Sequence, residues 1–286
     1  MDFKSGKFFF ATLLFFFSVS AFAGNGTKGD KYSYLSIGTG YSQFRMLDRK
    51  VSNLIYTSNQ SPNYLSFTRI SENVLFNVDL NFKYSFTSPL DFKERSFISS
   101  SPNHNGIIRM DTVTIAKSSL IQDELNVDYL YKIKTFNHAN IELFLGGQLK
   151  QYFSYSSTDG PVFVFSEISL NPAFMMRYRF GGSFESQSSL SVPLASLITR
   201  MPYSNDPTDG KHNYFISSYL MGSNLTSLNR FQRVNFHQSL QKRFNDRWAV
   251  ALDYDFSWFH YNRSSEINAY DNSVILKLMI GLNSKK

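Results

Sequence analysis

Residues 74–86 read VLFNVDLNFKYSF, with an apolar or aromatic side chain at every second position. Polar side chains fill most of the positions between them, namely Asn77, Asp79, Asn81 and Lys83. Successive side chains of a β-strand point to opposite faces, so this period of two predicts one long strand with an apolar face and a charged face. Strands of soluble proteins are usually shorter, roughly 5–6 residues.

The same alternation recurs along the chain. It is clearest in residues 124–133 (ELNVDYLYKI), 248–258 (WAVALDYDFSW) and 274–282 (VILKLMIGL). Weaker examples are residues 35–41, 141–149, 162–180, 190–198 and 234–244. No segment shows a convincing helical period of 3.6, which predicts an all-β fold.

Connections of two lengths separate these strands. Short connections rich in turn formers are predicted near residues 87–89, 134–140, 181–187 and 245–247. Longer polar loops are predicted near residues 45–71, 99–118, 200–230 and 261–271, with a brief exception at residues 156–161. Short turns on one side and long loops on the other are typical of outer-membrane barrels. We therefore predict a single transmembrane antiparallel β-barrel of about ten strands. Eight or twelve strands are the alternatives, because residues 91–118 and 213–230 have room for another hairpin.

Residues 1–23 have the features of a cleaved signal peptide. Lys4 and Lys7 form a basic start, residues 8–19 are apolar, and residues 21–23 (AFA) form a small-x-small cleavage site. The apolar run is too short to span a bilayer as a helix. We predict that residues 24–286 form the barrel domain and that it lies in the outer membrane. The chain contains no cysteine, which excludes disulfides and thiolate metal sites.

The spacing of the two tryptophans agrees with a membrane barrel. Trp248 and Trp258 lie ten residues apart on one face of one strand. At ~3.3 Å per residue and a tilt of roughly 40°, they stand about 25 Å apart along the membrane normal, the height of a lipid-facing band with aromatic edges. A soluble periplasmic β-protein is the alternative, with its apolar faces turned inward.

If the apolar faces contact lipid, the polar faces line the lumen. The acidic side chains predicted there are Asp79, Glu124, Asp128, Glu142, Asp253 and Asp255. The basic ones are Lys83, Lys132, Lys150, Arg177, Arg179, Arg243 and Lys277. This near balance predicts a salt-bridged, largely closed interior, with a narrow polar path for small solutes as the alternative. It disfavours a strongly charge-selective pore, which needs a lining of one sign.

One short stretch resembles a catalytic pair. In residues 236–239 (FHQS), His237 and Ser239 share a strand face and resemble the base and nucleophile of the outer-membrane phospholipase A family. That family continues with Asn-Gly, whereas Leu240 and Gln241 follow here, and its pair faces lipid. Here His237 and Ser239 are predicted to face the lumen, where a hydrogen-bonding role is expected.

Other candidates for chemistry are weaker. The five histidines (His104, His138, His212, His237 and His260) show no metal-ligand spacing. Asp206, Asp209 and His212 share one predicted loop, but they match no motif of the omptin proteases, which use an acid pair and an Asp-His pair at the barrel mouth. We therefore predict no catalytic, cofactor-binding or metal-binding residue, no cofactor and no enzymatic activity.

At the level of the whole chain, residues 24–286 resemble a small Gram-negative outer-membrane β-barrel. Residues 191–207 (SVPLASLITRMPYSNDP) are similar to stretches of uncharacterised barrels of Bacteroidota envelopes. The resemblance implies an outer-membrane location but does not imply any particular activity. We expect a structural, accessory or small-solute passage role. A barrel enzyme acting on lipid or peptide is the alternative.

Charge suggests partners of the predicted barrel. The chain carries a formal net charge of +7, of which residues 1–23 contribute one, so residues 24–286 carry +6. An exported chain rarely meets nucleic acid, so outer-membrane lipids and other envelope proteins are the expected partners. In the predicted loop at residues 45–71, the expected contacts for lipid phosphates are Arg45, Arg49, Lys50 and Arg69. The oligomeric state is left open.

Overall fold

The structure is a computed structural model of the chain. It describes residues 32–50, 53–90, 96–102, 108–114, 118–136, 140–157, 163–181, 183–200, 222–263 and 265–282. For residues 96–102 and 108–114 it describes the backbone only. The predicted signal peptide at residues 1–23 lies outside the described residues.

The described residues form β-strands joined by turns. In chain order they are β1 (Tyr32–Asp48), β2 (Ile55–Ile70), β3 (Val74–Pro89), β4 (Ser96–Pro102), β5 (Ile108–Thr114), β6 (Ser118–Phe136), β7 (Ile141–Ser157), β8 (Phe163–Phe180), β9 (Phe184–Ser191), β10 (Ala195–Arg200), β11 (Ser223–Thr226), β12 (Phe231–Arg243), β13 (Trp248–Arg263) and β14 (Ser265–Gly281). Neighbouring strands pair antiparallel throughout. No helix among the described residues is long and apolar enough to cross a membrane.

The strands close into a barrel of ten wall positions. Around the ring the order is β1, β2, β3, β6, β7, β8, β9, β12, β13 and β14, and β14 pairs again with β1. The strand pair β10 and β11 extends the wall beyond β9 and β12, since β10 pairs with β8 and β11 pairs with β10. The closed all-β barrel of ten strands predicted from the alternation is therefore confirmed.

Two wall strands are interrupted. Residues 192–194 separate β9 from β10, and residues 227–230 separate β11 from β12. Pro193 lies inside the first gap, where a residue without an N–H cannot extend a ladder. Leu194 N still donates to Leu170 O of β8 at 2.9 Å, so the chain stays attached to the wall on that side.

Residues 91–118 do contain a further hairpin, as one alternative allowed. It is formed by β4 and β5, which pair only with each other in a separate two-stranded sheet. The hairpin lies outside the wall, so the strand count of the barrel stays at ten.

Two connections differ from prediction. The loop predicted at residues 45–71 is wrong, because β1 continues to Asp48 and β2 begins at Ile55. The outward side chains of β2 include Asn59, Ser61 and Asn63. These polar residues stand where the alternation requires apolar ones, so the strand was not recognised in the sequence. Backbone pairing to β1 and β3 nevertheless satisfies the N–H and C=O groups of this strand.

The loop predicted at residues 261–271 is also wrong, since β13 ends at Arg263 and β14 begins at Ser265. The short turn predicted at residues 87–89 belongs to the end of β3. At the opposite end of β3, a tight turn spans residues 71–73, with Ser71 N donating to Val74 O at 2.8 Å.

The barrel has two distinct ends. One end, called here the short-turn end, holds the connections at residues 71–73, 137–140, 181–183 and 244–247, together with the start of β1 and the end of β14. The other, called the long-loop end, holds the two longest connections, residues 90–117 and 201–222. Short turns are confirmed within three of the predicted segments, 134–140, 181–187 and 245–247.

The predicted faces are confirmed in β3. Phe82, Tyr84 and Phe86 point outward with 40–54 % of their surface exposed, whereas Lys83 and Ser85 between them are buried in the barrel. Alternation in this stretch thus separates an apolar exterior from a polar interior.

Candidate functional site in the barrel lumen

The lumen at the long-loop end is filled by aromatic side chains. We call Tyr152, Phe165, Phe231, Phe259 and Tyr261 the aromatic plug; each is at most 5 % exposed. The rings of Phe165 and Phe259 stack with centroids 5.0 Å apart. Further contacts join Phe165 to Phe231 at 6.4 Å and Tyr152 to Phe259 at 6.0 Å.

The plug packs against the opposite side of the barrel. The same buried cluster includes Phe44 and Met46 of β1, Leu120 of β6 and Ile198 of β10. Side chains from strands around the ring therefore meet in the middle of the lumen. Close-packed side chains leave little room for solute, as expected for a narrow barrel.

The buried side chain of Arg233 contacts the plug on the side that faces the middle of the lumen. The Arg233 guanidinium donates to Glu167 at 2.5 Å, and both side chains are 2 % exposed or less. It also lies 4.8 Å from the ring centroid of Tyr152 and 5.5 Å from that of Phe259. A second carboxylate, that of Glu124, is 3.8 Å away. Arg233 thus joins the plug to the charged layer of the lumen.

The middle of the lumen is a hydrogen-bonded polar layer. Tyr64 donates its hydroxyl to Asp79. Asn77 donates to Asp79 at 2.6 Å and to Asp128 at 3.2 Å, and Gln148 donates to Asp128 at 2.8 Å. These side chains line a cavity of about 140 Å³. The two carboxylates are held by a phenol donor from β2 and by amide donors from β3 and β7.

His237 lies in this layer, on the lumenal side as predicted. Its Nδ1 is 2.6 Å from Asp255, and its Nε2 is 3.9 Å from Asp253, which also pairs with Lys277. Both ring nitrogens therefore face aspartates rather than Ser239, which is buried on the same strand. The geometry shows no base-to-nucleophile hydrogen bond between these two described residues.

Among the described residues, those at the short-turn end leave the lumen open. A cavity of about 730 Å³, called here the mouth, is lined by charged side chains. Glu142 accepts from Lys132 at 3.0 Å, from Arg177 at 3.3 Å and from Arg179 at 3.2 Å. Glu185 pairs with Arg177 at 2.7 Å. The mouth is therefore a shared ion-pair network beside an open space.

Every charged side chain predicted to face the lumen lines one of these two cavities. Among the described residues, buried ion-pair partners that were not predicted include Glu167, Glu185, Arg233 and Asp271. Arg233 shares the parity of His237 on β12, and Glu167 shares that of Arg177 on β8, so extending the period would have found both. Glu185 was assigned to a turn and Asp271 to a loop, where the period does not apply.

Other candidates fall elsewhere. His260 points outward and stacks on Trp258 with ring centroids 6.4 Å apart. His104, His138, Asp206, Asp209 and His212 lie outside the described residues. Within the described ranges, no group of three or more His, Asp or Glu side chains is placed to hold a metal ion.

Comparisons with known proteins assign this chain to no family. No protein-family model and no curated protein matches the chain. Similar solved structures include the outer-membrane protease OmpT of Escherichia coli, at 9 % identity and a TM-score of 0.44, covering 91 % of this chain and 99 % of that one.

Two further similar structures are an outer-membrane channel from Pseudomonas putida F1 and the Neisserial surface protein A. The channel is 9 % identical with a TM-score of 0.39, covering 90 % of this chain and 97 % of that one. The surface protein is 8 % identical with a TM-score of 0.35, covering 87 % and 96 %. At these identities and scores, none assigns an activity to this chain, and none links it to barrels of Bacteroidota envelopes.

Proposed function

We propose that the chain is an integral outer-membrane β-barrel with a lumen sealed at the long-loop end, acting as a structural or accessory envelope component rather than as an enzyme or a diffusion pore. The observation that carries the proposal is the pairing of an apolar exterior with a plugged interior. Each part is supported by separate contacts.

The exterior supports a membrane location. Large apolar side chains remain exposed around the wall, including Ile37, Leu145, Leu170, Leu252 and Leu276, which are 49–58 % exposed. A continuous apolar surface of this kind is unfavourable in water and favourable in lipid. The soluble alternative would turn these side chains inward.

Some aromatic side chains on the outer surface have polar partners there. The hydroxyl of Tyr41 donates to Asn59 at 2.8 Å, and that of Tyr254 donates to Asn272 at 3.0 Å. The indole N–H of Trp258 donates to Asn268 at 2.9 Å. Such amphipathic rings suit the level of the lipid headgroups.

The interior disfavours free passage of solutes. Next to the plug, the buried pair of Arg233 and Glu167 joins β12 to β8, the strands on either side of β9 in the ring. Displacing the plug would remove the aromatic rings that enclose this ion pair. Passage of small solutes therefore requires displacement of packed aromatic side chains, which a water-filled porin does not require.

Lipid phosphates are proposed partners of the long-loop rim. Arg45 lies 5.7 Å from the ring centroid of Tyr270, and Arg49 pairs with Glu266 at 3.1 Å. Lys50 follows in the same turn. Arg69 pairs in register with Ser33 at the opposite end of the barrel, so it cannot belong to this group. The predicted set of four basic residues is therefore reduced to three at this rim.

Membrane fractionation and electrophoresis test the location. We expect the protein in the outer-membrane fraction, and we expect an unboiled sample to migrate faster than a boiled one, because a closed barrel resists detergent until heated. Intact mass should show loss of residues 1–23. Recovery in the soluble periplasmic fraction without a heat-dependent shift would refute the proposal.

A further inference from the structure

The mouth holds more cationic than anionic groups on its wall. Lys132, Arg177 and Arg179 share the two glutamates described above, while Arg243 adds a fourth cation to the same cavity. Glu72 in the turn at residues 71–73 also lines the cavity, so the described residues of its wall carry one positive charge in excess. A charge excess in an open cavity favours an anionic occupant.

Arg243 is held in place without a carboxylate. Its guanidinium lies 5.0 Å from the ring centroid of Tyr32 and 5.8 Å from that of Tyr34. Among the described residues, no carboxylate oxygen lies within 4 Å of it, whereas the neighbouring Arg177 makes two short contacts with Glu185. Two aromatic rings thus orient this guanidinium while its hydrogen-bonding capacity remains unused by acids.

The other walls of the mouth suit an organic ligand. Arg179 is 51 % exposed even though it contacts Glu142 and Glu185, so one side of its guanidinium faces the open space. Tyr32 and Ile70 supply an apolar flank in the same cavity. A guanidinium with N–H donors that no acid uses, next to an apolar wall, is typical of a small-molecule site.

We propose that the mouth binds a small organic carboxylate, with its oxygens on Arg243 and its apolar part against Tyr32 and Ile70. Arginine recognises a carboxylate with two parallel hydrogen bonds, which gives the site both orientation and preference for a planar anion. The ligand enters from the short-turn side, since the aromatic plug closes the other end. Binding needs the folded barrel but neither a membrane location nor a sealed lumen, so it is tested separately from the proposed function.

Equilibrium dialysis of the folded, detergent-solubilised full chain against labelled benzoate tests the proposal. We expect saturable binding with a Kd of roughly 1 mM. Arg243→Gln should raise that Kd at least about tenfold, and Arg243→Lys should recover only part of it, because lysine keeps the charge but not the fork. The matched control is Arg247→Gln, which removes the same charge from the exposed turn at the same barrel end and lies outside the cavity lining.

Inorganic phosphate at equal ionic strength distinguishes an organic carboxylate from a general oxyanion. Benzoate should bind at least about threefold more tightly, because phosphate cannot use the apolar flank. Absence of saturable benzoate binding, equal affinity for phosphate, or equal loss in Arg243→Gln and Arg247→Gln would overturn the proposal. Each variant is first shown to keep the heat-dependent gel shift, so a loss of binding reports the site rather than unfolding.

Discussion

The two ends of the lumen are lined by different kinds of side chain. At the long-loop end, five aromatic side chains pack with at most 5 % exposure and enclose the buried ion pair of Arg233 and Glu167. At the short-turn end, charged side chains surround an open space of about 730 Å³. The difference shows that one barrel can use burial to close one end and leave a solvated, charged surface at the other.

This contrast has an energetic side. Apolar burial and a fully enclosed ion pair are sensitive to removal of a single partner, because the cavity or the orphaned charge cannot reach water. Ion pairs that are partly exposed contribute little, because water and salt replace the lost partner. Substitutions should therefore cost more at the plug than at the mouth.

The largest effect is expected in the polar layer between the two ends. Asp79→Lys removes the acceptor of Tyr64 and Asn77, and it places a second ammonium near Lys277, which lies 3.4 Å from the ring centroid of Tyr64. A like charge in this enclosed layer should prevent assembly. The heat-dependent gel shift should disappear, whereas Asp246→Lys, in an exposed turn, should retain it. Normal assembly of Asp79→Lys would contradict the account of the lumen.

The next effect is expected beneath the plug. Arg233→Met leaves Glu167 buried without its cation and should lower the free energy of unfolding by about 3–5 kcal/mol. Urea unfolding in detergent, followed by tryptophan fluorescence, measures the change. The double substitution Arg233→Met with Glu167→Leu should lose less than the single one, because no charge is then stranded. A double variant that is less stable than Arg233→Met would contradict the idea that the loss in the single variant comes from the unpaired charge of Glu167.

A slightly smaller loss is expected in the plug itself. Phe165→Ala should cost about 3 kcal/mol, the lower end for a buried phenylalanine, because four neighbouring rings can partly fill the space. The matched control is Phe174→Ala on the same strand, where the ring points outward and is 40 % exposed. The same urea experiment should show a clearly smaller loss for Phe174→Ala. Equal losses would mean that the plug is no better packed than the lipid-facing wall.

The smallest effect is expected at the mouth. Arg179→Gln should change the free energy of unfolding by less than about 1 kcal/mol, because the side chain is 51 % exposed and Arg177 still pairs with both glutamates. Raising the salt concentration should reduce the difference from the unsubstituted protein further. A loss as large as that of Arg233→Met would erase the distinction between the two ends.

Much of the fold could be predicted from the alternation of apolar and polar side chains along the sequence. The stretch at residues 74–86 predicted β3, its outward face and the lumenal positions of Asp79 and Lys83. The same parity placed all thirteen predicted charges in the lumen, because a strand offers only two faces. The prediction of about ten strands agrees with the wall of the barrel, although β2 was not among the alternating stretches.

The missing parts have physical causes. Strand β2 carries Asn59, Ser61 and Asn63 on its outer face, so its pairing depends on neighbouring strands rather than on an apolar pattern. The aromatic plug was not predicted because Phe165 and Phe231 share faces with charged residues, and parity alone does not say which height of the lumen is polar. The mouth depends on contacts among several different strands, which no local pattern encodes.

The conductance of the purified barrel in a planar lipid bilayer tests the central claim most directly. A lumen sealed by the aromatic plug should give no stable current steps above the bare bilayer, while removal of the plug rings in Phe165→Ala with Phe259→Ala should produce them. Stable open steps from the unsubstituted protein, of the size expected for a water-filled pore, would contradict a sealed lumen.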